Sequence, residues 1–324
     1  MKGQGFGAWI IYVAIRTACA LFWVFPIDWN LPTARLLGWL WCRLLPRWMP
    51  RRRLRLKFQA HRERTRDHIR QALGSQLDLA TIDRIALRSM QQLVMMAMES
   101  AFMPRLINEW TWAQYITTRD FDAALRVLLR GRGAILLTGH YGNWELSGYL
   151  LACWGFDVLA VMRPLDNAYL NRWLVDVRRR KGLRLAHKKG ATSTLEETLR
   201  DGGLVGFIAD QDAGPKGMFV DFFGRPASTY KSIGLLAMSA EVPVIVGYAR
   251  RTSDRFRYEV GVTRVIEPDE WREQPDPLRW ITQEYTAAIE QFVREAPEQY
   301  LWMHRRWKHQ PRKKSSPASL AASP

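Results

Sequence analysis

A histidine and a glutamate five residues apart, His140 and Glu145, stand inside the stretch AILLTGHYGNWELSGYLLA, residues 134–152. An apolar run ending at Thr138-Gly139 reads as a buried strand, followed by a turn and a helix that begins near Gly142 or Asn143. In open α/β sheets the reactive residues gather just beyond the carboxyl ends of strands, which is where His140 falls. On one continuous helix a spacing of five would not bring the two side chains face to face, whereas across a strand–turn–helix junction it can. The helix N-terminus would favour an ionised Glu145, and a carboxylate beside an imidazole fixes its tautomer and supports the cation formed when it takes a proton. The chemistry so described is proton uptake by a carboxylate-supported imidazole. Taken as bare residues, the same pattern also suits a turn histidine followed by a glutamate in an N-terminal capping arrangement.

A second candidate pair, Asp210 and Asp212, follows the apolar run LVGFIA at residues 204–209. Asp-x-Asp after a strand can ligate a divalent metal, as in glycosyltransferases that use nucleotide sugars, and it is also ordinary turn chemistry. There is no G-x-S-x-G elbow, which argues against a serine hydrolase. Cys19, Cys42 and Cys153 are scattered without paired spacing, so neither a zinc knuckle nor a disulfide framework is expected and the compartment reads as reducing.

These residues need a scaffold. From residue 134 onward, short apolar runs (AILLTG, FDVLAVM, LVGFIAD, VPVIVGYAR and, more weakly, FRYEVGVTRVI) alternate with helical patterns near 144–154, 167–181, 192–201, 231–240 and 278–295. The alternation predicts an α/β domain with a central mixed sheet flanked by helices. Residues 60–130 carry helical apolar spacing, with the cluster Met90, Met95, Met96 and Met98 read as packing. The tail PRKKSSPASLAASP is too poor in apolar residues to fold.

Charge and aromatic content narrow the surroundings. A net charge of +17 and a pI near 10.2 point to an anionic partner: nucleic acid, a membrane surface or acidic molecules. Fifteen tryptophans are present, and Trp9, Trp23, Trp29, Trp39, Trp41 and Trp48 crowd the N-terminus, where residues 7–25 form an apolar run broken only by Arg16. That run approaches the roughly 20 residues needed to span a bilayer, and the central Arg leaves an interfacial helix as the competing reading. Ala18-Cys19-Ala20 has a small-x-small form, but strong apolarity continues past it, so the segment reads as an uncleaved anchor. Residues 47–70 follow as a basic block opposed only by Glu63 and Asp67. Just after an anchor, such a block favours anionic lipid and places the body on the cytoplasmic side.

GHYGNWE resembles the His-x-x-x-x-Glu signature of the lysophospholipid acyltransferase superfamily, most closely the lipid A biosynthesis late acyltransferases of the lauroyl/myristoyl branch. VMRPLDN, GFIADQDAGPKGMFVDFFGRPA and YLWMHRRWK resemble further elements of that family, in the same order. The resemblance covers most of the chain and implies a glycerolipid-acyltransferase-like fold. It implies His140 as general base, Glu145 orienting it, and Arg163 holding an acceptor phosphate or carboxylate through its planar fork. Asp210 becomes a site residue without a metal, Asp212 joins it as substrate-binding, and Lys216 and Arg225 add anion contacts. The basic run 178–189, by default a solvated face, becomes a surface for strongly acidic acyl carrier protein.

The expectation is therefore a membrane-bound acyltransferase with an anchor and interfacial segment at 1–50, an acyltransferase domain at 51–310 and a disordered tail at 311–324. It would lie at a bacterial inner membrane with the catalytic domain cytoplasmic, and would use no cofactor, metal or nucleic acid. An acyl thioester, on acyl carrier protein or coenzyme A, would acylate a hydroxyl of a lipid A precursor or related anionic lipid. A phosphatidylinositol mannoside is the alternative acceptor. A metal-dependent glycosyltransferase built on Asp210 and Asp212 is the rival of another class.

Overall fold

The computed structural model describes residues 5–43, 52–74, 77–162, 164–180, 182–187, 190 and 192–311. Seven strands form one sheet: β1 (Ile116–Arg119), β2 (Ala134–Thr138), β3 (Val158–Met162), β4 (Leu183–His187), β5 (Leu204–Ile208), β8 (Val244–Arg251) and β9 (Tyr258–Ile266). Their order is β1-β9-β8-β2-β5-β3-β4. Neighbours run parallel except β8 and β9, whose antiparallel pairing reverses the β9–β1 edge, so the sheet is mixed as expected. β6 (Met218–Asp221) and β7 (Pro226–Thr229) form a separate hairpin.

Strand alternation divides the interior in two. Ile135, Leu137, Leu159, Val205, Val244 and Val246 point to one face. There they meet Ile233 and Leu236 of α9 (Lys231–Ala240) and Ile281, Tyr285 and Ile289 of α11 (Pro277–Glu295). Ala134, Val158, Leu204, Ile245 and Ala249 point the other way, onto Leu146, Tyr149 and Leu150 of α6 (Trp144–Cys153) and onto Ile27, Leu31 and Ala34 of α2 (Ile27–Arg43). α4 (Leu79–Leu106) serves both sides, with Ile82 and Ile85 in the first core and Met95, Phe102 and Met103 in the second. Asp78 caps it, accepting from the Thr81 N–H at 2.8 Å. Gly38 lets α2 cross α4 closely, since a Cβ there would lie 2.9 Å from the Gln91 Cα. The remaining helices are α3 (Arg52–Leu73), α5 (Asp122–Leu129), α7 (Ala168–Arg179), α8 (Thr192–Arg200) and the short α10 (Pro268–Arg272).

The N-terminal apolar run forms α1 (Phe6–Phe22), which has no buried residue. At about 1.5 Å per residue its 17 residues reach roughly 26 Å, short of the roughly 30 Å hydrocarbon core. No helix among the described residues is long and apolar enough to cross a membrane. α1 lies against α7: the Asn167 amide donates to the Ala8 carbonyl at 2.9 Å, and Arg16, the charge that breaks the run, sits 5.2 Å over the Trp173 ring. Phe6, Trp9, Ile10 and Leu21 of α1 and Trp29, Leu36 and Trp41 of α2 are left exposed. Of the tail expected at 311–324, only residue 311 is described.

Candidate active site

The register of two adjacent parallel strands makes the site. Thr138 at the end of β2 pairs with Ile208 at the end of β5, and His140 and Asp210 each lie two residues further on. The fully buried Asp210 carboxylate accepts from the His140 backbone N–H at 2.8 Å and sits 2.7 Å from its Nδ1. Burial, the largest influence, pushes this carboxyl upward. The charge of His140 and its two hydrogen bonds outweigh burial, and the group is lowered to about 2. An ionised Asp210 holds the imidazole proton on Nδ1 and leaves Nε2 as a lone-pair base on a residue that lines the main cavity.

The turn carrying His140 is strapped from the far end of the chain. Tyr141 bridges to Tyr300, the His140 carbonyl accepts from Leu301 N–H at 2.9 Å, and Gly142 N–H donates to the Gln299 carbonyl at 3.0 Å. Gly142 takes φ +53°, and a Cβ there would lie 1.9 Å from the Ala249 carbonyl oxygen, so only glycine fits. Asn143 ends the turn and donates at 3.1 Å to Glu99, which is fully buried. Burial raises the Glu99 carboxyl, while Arg251 and the Tyr258 hydroxyl bond it as an anion. His304 comes from the same C-terminal segment, its ring 4.5 Å from that of His140, with the Gln211 amide 3.3 Å from its Nε2. Burial, reinforced by the charge of His140, lowers His304 to about 4, so it is neutral at pH 7.

Glu145 does not hold the imidazole, as its position in the sequence suggested. It lies in the first turn of α6 and is bound in a two-point ion pair by Arg178 of α7, whose Nε donates to it at 2.9 Å. The strand–turn–helix junction aims the glutamate at α7, and the strand register assigns the contact on Nδ1 to Asp210 instead. Asp212 does not join them either: its carboxylate takes His309 Nδ1 at 2.7 Å and the backbone N–H groups of His309 and Gly214. Asp210 and Asp212 thus face different histidines, an arrangement unlike a paired metal ligand set. Lys216 is exposed in the turn before β6, away from the cavity, and Arg163 lies outside the described residues.

The cavity holds about 710 Å³, within the roughly 300–1,000 Å³ of small-molecule sites. His140, Trp144, Glu145 and Arg178 line part of it, and most of the rest is apolar, including Leu136, Ala160, Phe207, Leu236 and Val260. Arg178, Gln211, His304 and Asn143 are the site residues that reasoning from sequence missed. Arg178 was hidden in a basic run that looked like surface.

A carboxylate-backed imidazole at a strand end, beside room for a long apolar group, defines a site able to activate a hydroxyl next to a bound hydrocarbon. Residues 9–309 match the model of one family, bacterial lipid A biosynthesis acyltransferase, and the chain belongs to that family. It is 27% identical over 175 residues to a lipid A biosynthesis acyltransferase of Haemophilus influenzae, a match covering 53% of each chain. To a lipid A biosynthesis palmitoleoyltransferase of Escherichia coli it is 27% identical over 221 residues, 64% of this chain and 68% of the relative. A phosphatidylinositol mannoside acyltransferase of Mycobacterium tuberculosis is 32% identical over 109 residues, 32% of this chain and 34% of the relative. The chain therefore spans about half the length of the first relative, about two thirds of the second and about a third of the last.

Proposed function

We propose that the protein transfers a fatty acyl chain from an acyl thioester to a hydroxyl of a lipid A precursor or a related anionic glycolipid. The observation that carries the reading is the His140–Asp210 couple on an apolar cavity. Nε2 of His140 takes the acceptor proton as the acceptor oxygen attacks the thioester carbonyl. The tetrahedral adduct collapses with cleavage of the C–S bond, and the imidazolium returns its proton to the departing thiolate. Asp210 is a positioning residue that balances the charge on the imidazolium. The donor is acyl carrier protein or coenzyme A carrying the chain, which the apolar cavity wall suits. Arg163 is assigned to an acceptor phosphate or carboxylate on the strength of the sequence resemblance alone.

The working location is the cytoplasmic face of a bacterial inner membrane. The exposed apolar and tryptophan side chains of α1 and α2 support a helix pair lying in the interface rather than spanning it. The similarity to a phosphatidylinositol mannoside acyltransferase supports a second acceptor class. The test is mass spectrometry of lipids from cells with and without the gene, followed by purified protein with the acyl thioester of acyl carrier protein or of coenzyme A and each acceptor. A mass increment of one acyl group on a lipid A precursor is expected, and an increment on a mannoside would select the second. No acylated product with either acceptor from either donor would overturn the reading.

A further inference from the structure

Around Trp302 and Trp307 of the C-terminal strap, basic side chains gather in excess of acids. Arg64 and His68 stand one turn apart on α3, and the His68 Nδ1 lies 3.1 Å from the Trp302 carbonyl. Arg225, in the turn between β6 and β7, stacks 4.6 Å over the Trp307 ring, and the His68 ring meets the same indole edge-on at 5.2 Å. Arg64 and Arg225 each have an Nη1 shut off from solvent that bonds to no protein atom, and the indole N–H of the buried Trp307 is likewise unpartnered. Of the acids on the neighbouring helices, Asp83 pairs with Arg62 and Arg66, Asp67 pairs with Arg70 while also facing His68, and Glu63 is exposed to solvent. Burial lowers Arg64 and His61, and repulsion from Arg305 lowers both further. Burial lowers His68 too, with Arg225 and Arg64 adding to it despite the Trp302 carbonyl and Asp67. Three donor atoms shut off from solvent with no acceptor, on cations that repel one another, are what a bound anion relieves.

We propose that Arg64, Arg225 and Trp307, flanked by His61, His68 and Arg305, form a binding site for a phosphomonoester or diphosphate group. The two guanidinium forks and the indole N–H supply donors only, matching the acceptor-only phosphate oxygens. Arg305 is exposed and follows His304 directly in the chain, and the His304 ring touches that of His140. If the acyl-transfer reading holds, the phosphate is one carried by the acceptor lipid, and the site sets which hydroxyl reaches His140.

The test uses the full-length protein in detergent and reads binding rather than turnover, so failure of the acyl-transfer reading leaves it intact. Inorganic pyrophosphate and phosphatidylcholine vesicles with and without phosphatidic acid are titrated by calorimetry and by thermal shift. Saturable binding is expected, weakened about 10-fold or more by Arg64→Gln or Arg225→Gln and to a smaller extent by Trp307→Phe. Arg130→Gln, which breaks a surface pair with Glu267 at the other end of the sheet, should leave binding unchanged. Tighter binding to phosphatidic acid vesicles than to pyrophosphate assigns a lipid-borne phosphate, and the reverse assigns a free one. Should a glutamine variant fail to fold, Arg64→Lys and Arg225→Lys keep the charge, remove the fork and should still weaken binding several-fold. Wild-type affinity in the folded Arg variants, or no binding by the wild type, overturns the proposal.

Discussion

Replacing Asp210 with asparagine tests the site most directly. The substitution preserves shape inside a fully buried position but leaves one acceptor oxygen where the carboxylate serves two donors, the His140 N–H at 2.8 Å and Nδ1 at 2.7 Å. The carboxyl is lowered from 3.8 to about 2 against the pull of burial, so the site favours the anion by roughly 2 kcal/mol at about 1.4 kcal/mol per pH unit. If that preference is expressed when the imidazole becomes a cation, its loss alone slows transfer roughly 30-fold. The amide can also turn its NH₂ toward Nδ1, moving the imidazole proton to Nε2 and removing the base, which brings the expected loss in kcat to about 10²–10⁴-fold. The assay is initial-rate transfer from a radiolabelled acyl thioester in detergent micelles, with circular dichroism to confirm folding and KM for the donor expected to change little. Retention of more than about a tenth of kcat by Asp210→Asn, alongside loss by Glu145→Gln as deep as that of His140→Ala, would return the orienting role to Glu145.

Four further outcomes are expected. Glu145→Gln breaks the pair with Arg178 on the cavity wall and should lower kcat/KM less than His140→Ala does; Arg178→Lys should reproduce part of that loss in the same rate assay. His304 titrates at about 4 when folded and about 6.5 when unfolded, so the unfolded chain takes the proton first and stability is lost as pH falls through that window. Unfolding free energies from urea titrations at pH 7 and 4.5 should differ by roughly 2–3 kcal/mol more in the wild type than in His304→Gln. Glu99→Gln leaves Arg251 buried without its counter-charge and should cost roughly 3–5 kcal/mol of stability, read by denaturant unfolding. Serine at Phe6, Trp9 and Ile10 should shift the protein from vesicle-bound to free in flotation, while its fold by circular dichroism stays the same.

The pattern of apolar runs carried β2, β3, β5, β8 and β9 and the helices between them, because buried parallel strands read as continuous Val/Ile/Leu segments. β1 and β4 escaped for a physical reason: as edge strands they cover little core, ITTR holds one apolar residue, and LRLAH is interrupted by Arg184. His140 was legible from its place at a strand end. Its partner was not, because proximity in sequence favoured Glu145 while the contact depends on which strand lies beside β2. Had β5 been placed next to β2, the equal offsets of His140 and Asp210 would have found it. Arg178 and His304 could not be separated from their neighbours by composition, since a charge in a basic run and a histidine in an aromatic segment acquire meaning only from what faces them.

The strap across the catalytic turn has a temporal consequence. His140 leaves the ribosome well before residues 299–306, so for much of synthesis the nascent chain carries a base whose turn is unsupported and whose neighbour His304 does not yet exist. Completion of the His140 turn is therefore ordered late, because the bonds from Gln299, Tyr300 and Leu301 that hold it cannot form until that segment has been made.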